Sequence, residues 1–119
     1  MIDISKKIDG MDMEKACAYF DGDLEILEEI LNVCYDDGFN KLMRLKAAFK
    51  SKNWHNYEIE AHSIKSSMAT LFVTELSAHA KKHEFAVKEN NIKYIEQDAD
   101  SLACEFEAFL SSLGEFLNK

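Results

Sequence analysis

In the stretch EAHSIKSSMATL, residues 60–71, one imidazole stands among small side chains. Ser63, Ser66, Ser67 and Ala69 surround His62, and Lys65 follows three residues on. At about 100° per residue of an α-helix, Tyr57, Ala61, Ile64, Met68 and Leu71 gather on one side. His62 falls on the opposite side, with His55, Glu58, Lys65, Ser66 and Ala69, and with Ile59 at the edge of that face. The ring is therefore expected to face solvent. A neutral imidazole is a competent nucleophile near neutrality, because an unperturbed histidine titrates at about 6.5. Lys65 can neutralise charge on a phosphoryl group carried by the ring. Ser66 and Ala69 leave room for a folded partner to bring its own reactive side chain. Such chemistry depends on positioning and charge stabilisation more than on a deep pocket.

A second pair, His79 and His83, has the His-x-x-x-His spacing that can ligate a metal on one helix. His83 falls on an apolar stripe, and no second ligand set follows in sequence. The expectation is that the chain holds no metal. Cys17, Cys34 and Cys104 are odd in number and far apart, which excludes a CxxC knuckle and gives no disulfide framework. They are expected to be ordinary small hydrophobes in a reducing compartment. The acidic residues Glu25, Glu28, Glu29, Asp36 and Asp37 fit a solvated face.

The 119 residues suit one domain, and an apolar content of 47% suffices for a core. The net charge of −8 repels phosphate backbones and anionic lipid, which argues against nucleic acid or membrane as the main partner. The opening MIDISKKIDGMD has no apolar core of signal-peptide length, and no window approaches the roughly 18 apolar residues of a membrane span. A soluble, cytoplasmic chain is the expectation.

Helical spacing accounts for nearly all of the chain, with no proline and only four glycines. A first short helix fits Asp12 to Phe20, closed by Asp21-Gly22-Asp23. Asp23 can cap a second through about Tyr35, and Asp36-Asp37-Gly38 is expected to break or kink the chain before Phe39, Leu42, Leu45 and Phe49 continue. Asn53 caps the helix that carries His62, from Trp54 to about Leu71. Thr74 can cap the next, with Leu76, Ala80, His83 and Val87 on one stripe. After Asn90-Asn91, a last helix places Ile95, Ala99, Leu102, Phe106, Phe109, Leu113 and Phe116 along one seam. Short turns force neighbours side by side, so the fold class is all-α, an antiparallel four-helix bundle with one or two extra N-terminal helices.

AHSIKSS followed by TELSAHAKKHE resembles the histidine-containing phosphotransfer (HPt) domain of multistep two-component phosphorelays. His62, Lys65, Ser66 and Leu76 match that family's motif. The likeness extends upstream through MDMEKACAYFDGD and DDGFNKLMRLKAAFKSKNWHNYEIEAH, and so covers nearly the whole chain, residues 1–119 as a single HPt-like domain. The resemblance implies that His62 accepts a phosphoryl group from a receiver-domain aspartate and passes it to another receiver. It makes Lys65 the phosphate-stabilising residue, and Ser66 the small residue that permits docking; beside them, Ala69 keeps the approach open, and Ile59 and Phe72 are expected as an apolar rim of the docking surface. It implies response-regulator receivers and a hybrid sensor histidine kinase as partners, a monomeric phosphocarrier without its own cofactor, and Mg²⁺ on the receiver. Nothing in the sequence resembles an ATP-binding element. Where the family often has glycine, ten positions past the acceptor, this chain has Phe72, for which an ordinary backbone conformation is expected. If that residue distorts the site, the alternative is a docking module with the same fold and no phosphate flow.

Overall fold

The computed structural model describes residues 2–119, and among them the regular structure is five α-helices with no strand. These are α1 (Met13–Tyr19), α2 (Leu24–Lys50), α3 (Trp54–Thr70), α4 (Thr74–Lys88) and α5 (Ile92–Phe116). Four starts are fixed by side-chain caps that satisfy an orphan backbone donor. Asp12 accepts from the Lys15 N–H, Asp23 from Ile26, Asn53 from Asn56 and Asn91 from Tyr94. The fourth helix departs from the sequence expectation. Thr74 is its first helical residue, and Val73 occupies the cap position with no side-chain hydrogen bond.

All five helices end alike. In each, a residue just past the C-cap takes the left-handed conformation, and two backbone hydrogen bonds close the turn (Val73 N–H to Met68 O and Phe72 N–H to Ala69 O at the end of α3). Glycine normally fills that position, but here it is Asp21, Lys52, Phe72, Asn90 or Asn118. Aspartate and asparagine enter this region readily; lysine and phenylalanine do so against a steric cost of about 1–2 kcal/mol.

The expected break at Asp36-Asp37-Gly38 is absent, because α2 runs unbroken for 27 residues. Gly38 is buried and lies against Leu110, where an added Cβ would come within 2.3 Å of a leucine methyl. The glycine is present for a close approach between helices, not for a turn. Keeping helical phase through it moves Phe39 off the core stripe, and Phe39 is 39% exposed. Gly114 on α5 makes the reciprocal approach to Tyr35 on α2.

The α2–α5, α2–α3, α3–α4 and α4–α5 pairs are in contact, and α1 touches α2. Contacts run in opposite order along neighbours: Arg44 reaches Glu60 and Lys41 reaches Ser67 between α2 and α3. Tyr57 meets His83 and the Lys65 carbonyl meets Ser77 between α3 and α4. The core combines Leu27, Leu31 and Leu45 of α2 with Tyr57, Ile64 and Met68 of α3 and the full α5 seam. Each such side chain contributes about 1.5–3 kcal/mol of transfer free energy. Residues 2–12 lie across this bundle, with Ile8 buried, Asp9 N–H donating to Ser112 Oγ and Asp12 N–H to the Phe72 carbonyl. No helix of the described residues is long and apolar enough to cross a membrane.

Candidate functional site

His62 projects from the middle of α3, on the face opposite a row in which Tyr57, Ala61, Ile64 and Met68 are all fully buried. Burial of that row fixes the roll of the helix, so the imidazole is left 57% exposed. Its Nδ1 lies 2.9 Å from Glu84 Oε2 of α4. An ionised carboxylate only accepts, so Nδ1 carries a proton, which leaves Nε2 as the ring nitrogen open to a partner. Among the described residues no hydrogen bond engages that nitrogen.

Glu84 organises the site. Although only 4% exposed, its carboxylate meets Lys65 Nζ at 2.7 Å through Oε1, and Lys88 Nζ at 3.1 Å through Oε2 beside the His62 contact. The Lys65 contact is a close ion pair. Burial alone would raise the Glu84 pKa. The Lys65 ammonium, the His62 ring and Lys88 outweigh it and hold the carboxyl at about 2. A buried carboxylate thus stays ionised, orients one imidazole, and gathers two cations beside it.

The sequence placed His62 and Lys65 on a common face, and both converge on one carboxylate. Lys65 is more tethered than a solvated lysine, with 26% of its side chain exposed. Ser66, Ala69 and Ile59 are exposed on α3, and Ile59 keeps 49% of its surface. Phe72 departs from expectation. Its φ is +59°, so the ordinary backbone conformation expected of it is not adopted. The cap hydrogen bonds at the end of α3 hold it there, its carbonyl accepts from Asp12, and its half-buried ring packs edge-on to Tyr19 at 5.7 Å. Cys17, Cys34 and Cys104 are free; Cys104 is exposed rather than packed, while burial pushes the Cys34 thiol up to about 11.

Sequence reasoning missed the role of Glu84. The available signal was a carboxylate four residues after Ala80, on the stripe that α4 buries against α3. A charge at such a position needs partners, and the lysines and histidine supply them. No protein-family model, curated protein or solved structure matches this chain.

Proposed function

We propose that the chain is a histidine phosphocarrier of the HPt kind, an antiparallel four-helix bundle (α2 to α5) with α1 and residues 2–12 as N-terminal additions. The observation that carries the proposal is the His62–Glu84–Lys65 constellation: a solvent-facing imidazole whose Nδ1 is held by an ionised carboxylate beside an ammonium. In this reading His62 Nε2 attacks the phosphorus of an aspartyl phosphate on a receiver domain. The P–O bond to that aspartate breaks, a P–N bond forms, and the donor leaves as a carboxylate. No proton need be lost, because Nδ1 keeps its own and the ring becomes cationic. Glu84, in contact with Nδ1, would stabilise that charge, and Lys65, one helical turn on from His62, would stabilise the phosphoryl oxygens. The reverse sequence delivers the group to a second receiver.

The partners in this reading are response-regulator receivers and a hybrid sensor histidine kinase in the cytoplasm, with Mg²⁺ held by the receiver. Ser66, Ala69, Ile59 and Phe72 form the docking surface around the acceptor. The chain acts as a monomeric carrier and not as an ATP-dependent kinase.

The test mixes the chain with a panel of receivers pre-phosphorylated on aspartate, and follows intact mass and the acid lability of the label. Acid-labile, base-stable phosphate on the wild type and none on His62→Gln is the expected result. Binding of receivers without transfer would replace the carrier with a docking module, and transfer to His62→Gln would move the acceptor elsewhere.

A further inference from the structure

On the other side of α4, a second histidine cluster has the parts of a metal site. His79 and His83, one turn apart, both direct Nε2 at a single oxygen of Asp98 on α5. The His83 Nε2 contact is 2.8 Å, and the three ligand atoms lie within 4.8 Å of one another. Their opposite nitrogens are already fixed. His79 Nδ1 sits 2.6 Å from Glu105 Oε1, and His83 Nδ1 sits 2.9 Å from the Tyr57 hydroxyl. The Tyr94 hydroxyl donates to the same Asp98 oxygen at 3.2 Å.

This is the arrangement that holds an imidazole for metal binding: the inner nitrogen anchored by a carboxylate or hydroxyl, the outer one converging with its neighbour. His83 is fully buried, whereas the side chains of His79 and Asp98 are 17% and 30% exposed, which leaves a solvent-side approach. From these contacts we infer a divalent transition-metal site of the Zn²⁺ class, ligated by His79 Nε2, His83 Nε2 and the Asp98 carboxylate, with water completing a tetrahedron. Two imidazoles and one carboxylate favour such an ion over Mg²⁺ or Ca²⁺, which take oxygen donors.

Ligand atoms around a tetrahedral Zn²⁺ stand about 3.3 Å apart, so the Asp98 oxygen must draw back from the two rings it now hydrogen-bonds for the ion to enter between them. The Nε2 proton of His79 leaves to solvent. The His83 proton moves to Nδ1, where the Tyr57 oxygen accepts it. Glu105 and Tyr57 are positioning residues. The ion would staple α4 to α5 at the residue immediately before Glu84. This inference is independent of the phosphocarrier reading, since none of its ligands belongs to the His62 site.

The test titrates the metal-free chain with Zn²⁺ by calorimetry and with Co²⁺ by visible absorption. One ion per chain is expected, with the intense bands of tetrahedral Co²⁺ and a rise of several degrees in Tm. His79→Ala and Asp98→Ala, both at partly exposed positions, should each weaken binding by tenfold or more. Glu105→Gln should weaken it by about 10–100-fold with the Co²⁺ bands retained. His62→Gln should leave binding unchanged. Absence of stoichiometric binding to the wild type would overturn the inference. So would binding that survives His79→Ala or is lost in His62→Gln, because the ion would then sit elsewhere.

Discussion

Glu84→Gln isolates the charge at the centre of the His62 site, because glutamine keeps the shape of a neutral carboxyl and removes its ionisation. Holding that carboxyl at about 2 rather than 4.5 corresponds to about 3 kcal/mol of preference for the charged form in the folded chain. His62 and Lys88 are 57% and 48% exposed, and water screens part of their attraction. The expected loss in Glu84→Gln at neutral pH is therefore about 2 kcal/mol. The folded pKa is depressed, so this stabilisation is complete above the unfolded value of 4.5 and is lost as pH falls towards about 2. Urea unfolding of both proteins from neutral pH down to about pH 3 should show their stability gap narrowing as the wild-type carboxyl takes up its proton. A gap that stays constant across that range would mean that Glu84 acts by shape alone. Equal stability at neutral pH would mean that its ion pairs are worth nothing net, and either result refutes the electrostatic account.

Gly38→Ala should cost about 1–3 kcal/mol in urea unfolding, despite a helix-propensity gain of about 1 kcal/mol, because the new methyl meets fully buried Leu110. Adding Leu110→Ala should give a non-additive double mutant, and a Gly38→Ala protein more stable than wild type would contradict the close-contact assignment. At position 72, glycine should be more stable than alanine by about 1 kcal/mol, because both lack the ring and only alanine meets the left-handed penalty at φ +59°; equal melting would show that the turn relaxes. Under the phosphocarrier reading, Lys65→Ala should slow transfer from a phosphorylated receiver by about tenfold without abolishing it. An unchanged single-turnover rate would remove Lys65 from the mechanism.

The all-helical class, the caps at Asp23 and Asn53, and the buried seam of α5 were legible in the sequence, since each rests on neighbours within one or two helical turns. The exposure of His62 was legible for the same reason: the apolar row on one side of α3 dictates which side is left. What failed depended on distant partners. Asp36-Asp37-Gly38 has the composition of a turn, and only Leu110, far along the chain, explains the glycine as a place of contact. Phe72 breaks the usual glycine preference because a complete set of cap hydrogen bonds and the Tyr19 ring hold it. Glu84 and the convergence of Asp98 on His79 and His83 were hidden for a related reason. Periodicity says which face a residue occupies, but not which side chain stands opposite.

Gly38 with Leu110, and Gly114 with Tyr35, form two reciprocal knobs and hollows about one turn apart on α2 and α5. Sliding either helix along the other would drive a buried leucine and a tyrosine into backbone at the same moment. The pair therefore acts as an axial stop that removes shear from the motions open to the two longest helices. Whatever modification or ligand arrives at α3 or α4, the α2–α5 pair against which they pack keeps its axial register.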